Sequence, residues 1–182
     1  MLRFRKTVRR VGNERLGFME TFETIAKRCS VREFLDKPVP KEMLEKLVDA
    51  GRCAPSARAV EPWEFVVTTE RKILDQMAGF ISNGPFLKQA TACIIVFCQD
   101  VKYFLEDGSA ATENILLAAT ELGLGACWIA GDKKEYCQTV LDLFKAPPGF
   151  KLVSLIAVGW PIKAVRQIKK RKIQEVLHWE KF

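Results

Sequence analysis

The stretch from Asp107 to Gly131, DGSAATENILLAATELGLGACWIAG, decides the fold. Its first part reads as a helix over Asp107 to Leu122. Ala110, Ala111, Asn114, Ile115, Leu117, Ala118 and Ala119 are small or apolar enough to bury on several sides. Small side chains let neighbouring backbones approach closely, so this helix is expected at the centre of a domain or along a dimer seam. Gly123 and Gly125 suit a sharp exit, and Ala126 to Ala130 follows as a short strand. The glycines do not form a dinucleotide fingerprint: the third glycine is missing, and the pair does not open a helix after a strand.

On either side of this centre, helical and strand signals interleave. Glu20 to Arg28 predicts a short helix. Pro40 stands where a first helical turn accepts proline and opens a helix through about Cys53, with Met43, Leu44, Leu47, Val48 and Ala50 as its apolar stripe. Trp63 to Thr69 is strand-like, a polar helix runs from Glu70 to about Gly79, and Gly84-Pro85 turns the chain into a short helix near Phe86 to Ala90. Ala92 to Cys98 has the Ile-Ile-Val-Phe run of a central strand, and Leu152 to Val158 is the last clear strand. Between them Lys133 to Phe144 predicts a helix stopped by Pro147-Pro148-Gly149; the basic tail after Val165 turns amphipathic at Ile173 to Trp179. The expected fold class is α+β: one domain with a central mixed β-sheet flanked by helices.

Composition narrows the function classes. A hydrophobic content of 48% with 28% charged residues over 182 residues is ordinary for a globular domain with a real core. No uninterrupted apolar run is long enough to cross a bilayer. The six cysteines contain no Cys-x-x-Cys pair and His178 is the sole histidine, so neither zinc spacing nor a histidine triad is available. Cysteines placed within apolar strands, as Cys93 and Cys98 are, point to a reduced, cytoplasmic protein. The formal charge of +7 is uneven: residues 1–18 hold six basic residues against Glu14, which leaves +2 for the remainder. The expected division is therefore a basic arm or upstream extension over 1–18, with Met19 as an alternative start, and a domain over 19–182. Nucleic-acid binding through the arm is the less favoured reading.

Several short motifs carry chemistry. In an extended segment alternate residues face the same way, so Arg28, Ser30 and Arg32 present two guanidinium groups and a hydroxyl together. Such forks suit phosphate oxygens and carbonyl edges, although two surface arginines at a helix end would read the same locally. Ala54-Pro55-Ser56-Ala57 ends a helix and turns toward Pro62-Trp63, with Ser56 able to bond nearby backbone. Lys169 to Lys172 is either a solvated basic run or a second anion contact.

Taken in order, these motifs resemble the nitroreductase family of flavoproteins over Thr21 to Phe182. The family form of the second is Pro-Ser-x-x-Asn-x-Gln-Pro-Trp, matched at Pro55, Ser56, Pro62 and Trp63; Ala59 stands for the Asn and Glu61 for the Gln. Leu122 to Gly131 resembles the family's Leu-Gly-Leu-Gly-x-x-Trp-Ile-Gly, and Arg171-Lys172 before Glu175-Val176 its Arg-Lys-x-x-x-Glu-Val-Val ending. The resemblance implies FMN as cofactor and an intertwined homodimer with two flavin sites at the subunit interface. It assigns Arg28, Ser30 and Arg171 to the phosphate end and Arg32 to the pyrimidine edge, where a cation stabilises charge on the reduced ring. Pro55 and Ser56 would lie against the ring, and Ile129, Ala130 and Gly131 beside its N5 edge. Trp128 is expected in the core, Cys127 as an inert thiol, and His178 as a surface residue. Glu61 would either repel the reduced flavin or pair with Arg58.

The implied activity is a ping-pong NAD(P)H-dependent flavin oxidoreductase acting on nitroaromatic, quinone or related acceptors, with no catalytic side chain and no metal. Relatives with the same fold carry out dehalogenation, enoyl reduction or peptide-ring dehydrogenation, and these readings stay open. So does a flavin-binding sensor or carrier with little turnover.

Overall fold

In the computed structural model, which describes residues 21–164 and 166–182, strand β2 (Ala92–Gln99) lies at the heart of the molecule. Its period-two pattern serves two layers: Ile94 and Val96 join one apolar cluster, Cys93, Ile95 and Phe97 another. β1 (Trp63–Thr68), β3 (Gly125–Ala130) and β4 (Phe150–Gly159) complete a four-stranded sheet in the order β1-β2-β4-β3. Every pairing of these strands is antiparallel, with Ile94 opposite Ile156 and Ile129 opposite Leu155. The mixed character expected of the sheet is confined to an isolated parallel bridge between Ser30 and Ala126. Interleaved helices suggested parallel crossovers, yet the long connections here return the chain antiparallel.

Helices cover both faces. On one, α2 (Lys41–Arg52) and α4 (Phe104–Glu121) pack with Leu44, Leu47, Ala111, Ile115 and Ala119 against Ile94, Val96 and Ile156. On the other, α3 (Arg71–Phe80) and α5 (Cys137–Leu143) bring Leu74, Met77 and Val140 onto Ile95, Phe97 and Leu155. Burial of this many full-sized apolar side chains, each worth about 1.5–3 kcal/mol, gives the sheet its dominant stabilisation.

α4 fits the central role its small residues announced, although it starts at Phe104 rather than Asp107. Gly108 permits its close approach to the sheet: a Cβ there would lie 2.6 Å from Val153 Cγ2 and 2.9 Å from Cys98 Sγ. Thr112, fully buried, donates to the Gly108 carbonyl (2.7 Å) and shares a hydrogen bond with Ser154 (2.7 Å), so the polar atoms at this contact are satisfied.

α1 (Thr21–Lys27) lies along α4, with Thr24 donating to Glu121 Oε2 at 2.9 Å. α5 is shorter than the sequence suggested, because Lys133, at φ +61°, takes a left-handed turn before it. The 86–90 helix is a single 3-10 turn over Pro85–Lys88. In the tail only Ile173–Glu175 forms a 3-10 turn, and Ile168, Trp179 and Phe182 are exposed. The basic arm over 1–18 and the Met19 boundary lie outside the described residues. No helix among the described residues is long and apolar enough to cross a membrane.

Candidate functional site

The segment after α1 runs along the outer edge of β3. The Val31 N–H donates to the Ala126 carbonyl at 3.0 Å, and Ser30 forms the parallel bridge with the same residue. Val31 turns inward against Gly125, where a Cβ would lie only 2.7 Å from Val31 Cγ1. Alternation then leaves Ser30 and Arg32 exposed and Arg28 half-buried. Arg28 Nε sits 3.6 Å from Glu113 Oε1 of α4, and the Arg32 guanidinium lies 5.6 Å from the centre of the Phe86 ring.

Cys127, buried on β3, reports the field at this edge. Burial pushes its thiol up from the ordinary value, while Arg32, a hydrogen bond with Ser30 and Arg28 all pull it back. Two arginines and a hydroxyl thus act on one point of the strand. A phosphate or an anionic ring edge fits that field.

Further along β3, Ile129 is buried and Ala130 pairs with Ser154. Gly131 donates its N–H to the Val153 carbonyl at 3.0 Å, and a Cβ on it would lie 2.8 Å from the same oxygen. The carbonyls here are tied down by side chains that sequence reasoning missed. The Tyr136 hydroxyl reaches the Ala130 carbonyl and, at 2.9 Å, Asn83 Oδ1; the Cys137 thiol donates to the Gly131 carbonyl. Burial raises the Tyr136 phenol, so it remains a donor at neutral pH.

Pro55 and Ser56 occupy a different place. Ser56 Oγ accepts the Glu61 N–H at 3.0 Å, the local backbone bond its position suggested. Between them Arg58, Ala59 and Glu61 take φ of +58°, +53° and +50°, left-handed conformations that non-glycine residues rarely adopt. The loop is tied to α4 by the Ala57 N–H, which donates to Asp107 Oδ1 at 2.9 Å. Ion pairs among the described residues do not include Arg58 with Glu61; the Glu61 carboxylate instead adds to the field that raises Arg52. The Arg52 guanidinium is itself held chiefly by its bond to Asp49.

The sequence-derived set is therefore split. Ser30 and Arg32 stand beside the start of β3 with Arg28 on the α4 side of them, while Pro55 and Ser56 hang from the first turns of α4. The Ile129–Gly131 end of β3 lies toward those turns, since Ala130 pairs with Ser154, to which Thr112 of α4 is bonded. Ser30 meets the chain just beyond the far end of α4, and the helix rises roughly 20 Å between Asp107 and Glu121. Arg171 is engaged by Glu175, 3.7 Å from Nε, on the exposed tail. The tail nevertheless docks at the first cluster: Gln167 Nε2 donates to the Arg28 carbonyl at 2.9 Å and the Ile25 carbonyl at 3.3 Å. Gln167 had no distinguishing sequence signal. Trp128 packs into the α2/α4 layer as expected, and the His178 ring stacks 4.3 Å from Phe182 on the exposed tail. Among the described residues no group of three or more His, Cys, Asp or Glu is placed to hold a metal.

Comparison with known proteins identifies the family. The sequence pattern of the nitroreductase family matches residues 25–100 and 82–160. A protein of Methanothermobacter thermautotrophicus, provisionally named NADH dehydrogenase/NAD(P)H nitroreductase, is 35% identical over 149 residues, covering 79% of this chain and 78% of its own. The FMN-dependent nitroreductase of Clostridium difficile is 27% identical and superposes with a TM-score of 0.82 over 87% of this chain and 98% of that one. A provisionally assigned nitroreductase of Desulfovibrio desulfuricans, solved in complex with FMN, is 28% identical with a TM-score of 0.78, covering 89% and 97%. Sequence and fold agree, and the chain belongs to the nitroreductase family.

Proposed function

We propose that the chain is an FMN-dependent oxidoreductase that takes reducing equivalents from NAD(P)H and passes them to nitroaromatic, quinone or related acceptors by a ping-pong route. The observation that carries this reading is the exposure of Ser30 and Arg32 beside β3, with Arg28 adding to the same positive field at Cys127, in a member of a family whose relatives include an FMN complex. When bound, FMN supplies two-electron chemistry, accepting hydride from a reduced nicotinamide and delivering electrons to the acceptor.

The protein's own residues bind, orient and tune. Arg28 and Ser30 hold the phosphate end, joined by Arg171 when the tail exchanges its Glu175 contact for the phosphate. Arg32 places a fixed positive charge at the pyrimidine edge and favours the reduced ring. The Ala130 and Gly131 backbone, its carbonyls already occupied by Tyr136 and Cys137, forms a rigid wall at the N5 edge. Pro55 and Ser56 cover a ring face and exclude water. A homodimer, in which the β3 edge of one protomer meets the loop of its partner, belongs to the same reading.

The deciding experiment is an absorption spectrum of the purified protein, taken before and after anaerobic addition of NADPH or NADH. Stoichiometric flavin that bleaches is the expected result. A protein that takes up no FMN after reconstitution would overturn the reading. Ala59 and Glu61, which remove an amide and add a carboxylate in the loop, favour a second reading as a flavin-binding sensor. Rapid nicotinamide oxidation with a quinone present would exclude it.

A further inference from the structure

We infer that Asp107 is a positioning residue for the Pro55–Glu61 loop, holding through the Ala57 N–H the left-handed shape in which that loop meets the flavin; the inference rests on the flavin reading above. The loop cannot hold that shape on local preference alone. Arg58, Ala59 and Glu61 are all left-handed without a glycine among them, and such backbone persists only where its surroundings over-determine it. Ser56 Oγ ties Glu61 from within the loop, and the Ala59 and Val60 N–H groups bond back to Ser56 and Ala57. The bond from Ala57 to Asp107 crosses to another element, fifty residues away.

Asp107 is a firm post. Its neighbour Gly108 is seated against Val153 and Cys98 with no room for a Cβ, and Thr112 ties that turn of α4 to Ser154 on β4. The residue is only 5% exposed, which keeps its side chain among the packed atoms of the turn. Its Oδ2 is buried without a hydrogen-bond partner among the described residues. That leaves the bond to the Ala57 N–H as the side chain's one hydrogen bond among the described residues, and losing it would leave both oxygens buried and unpaired. Beside it a cavity of about 120 Å³, lined by Arg58, Val60, Tyr103 and Asp107, gives the loop space to relax once that bond is lost.

Two readouts test this: hydrogen exchange at amides 57–61 in the flavin-free protein, and the FMN Kd. Asp107→Ala is expected to speed exchange at those amides and weaken FMN binding, each by about tenfold, while β2 amides stay protected. Asp107→Asn retains an acceptor at the same atom and should restore both to within about twofold of wild type. Asp107→Val, which fills similar space without an acceptor, gives the same reading if the alanine variant is too unstable to purify.

Wild-type protection and affinity in the Ala or Val variant would overturn the inference. So would opening of the β2 amides in step with the loop, which marks a general loss of stability, or an Asn variant as impaired as the Ala one. If the wild type takes up no FMN, the flavin reading fails, and exchange at 57–61 still decides whether Asp107 holds the loop.

Discussion

Two segments of this chain face the proposed ligand, and they are built on opposite principles. Arg28 to Arg32 borrows its order from β3: one backbone bond to Ala126 and the seating of Val31 on Gly125 fix which side chains point out. Ala54 to Pro62 has no strand to lean on and holds three left-handed residues through bonds to Ser56 and Asp107. The first is regular geometry with charged side chains; the second is irregular geometry with a backbone surface. On the reading proposed above, affinity for an anion belongs to the first, and the fit against a ring belongs to the second.

The largest perturbation of this contrast is Gly125→Ala. The new methyl falls 2.7 Å from Val31 and must push the first segment off β3. We expect a loss of about 1–3 kcal/mol in urea unfolding, together with reduced FMN retention, because overpacking has no soft neighbour to displace here. Unchanged stability would show that the segment is not anchored through Val31.

Individual alanine substitutions come next. Arg28→Ala should weaken FMN binding by about tenfold and Ser30→Ala by less, as expected for a charged against a neutral hydrogen bond. Arg171→Ala should have the smallest effect of the three, since Glu175 competes for its guanidinium. Folding stability should barely change, because the Arg28–Glu113 pair is partly exposed. Normal flavin content in all three variants would remove the phosphate assignment.

The smallest effect belongs to the second segment. Ala59→Gly relieves a left-handed alanine and should raise stability by about 0.5–1 kcal/mol, read as a small upward shift in Tm. A decrease would mean that flexibility gained in the unfolded chain outweighs the relief.

The same contrast explains what the sequence disclosed. The four strands and the helix through Ile115 were legible because their apolar runs and small residues report burial directly. The exposure of Ser30 and Arg32 followed from alternation, a local rule. Strand direction was not legible: it depends on where each connection returns, and among the described residues only the Ser30–Ala126 bridge runs parallel. Asp107 was missed because its role depends on a partner fifty residues away; by position alone it reads as an ordinary acid in the first turn of a helix. Tyr136 and Asn83 escaped for the same reason, since nothing in their neighbours marks them as ties to β3.

α4 also acts as a spacer with a phase. Its 18 residues fix both the separation and the relative rotation of what is attached to its two ends. Inserting a single residue into it would turn one end by about 100°, whereas a whole added turn would keep the facing and lengthen the span by about 5 Å. Length can therefore change without altering the phase only outside this helix, at the connections around Val101–Tyr103 and Leu122–Leu124.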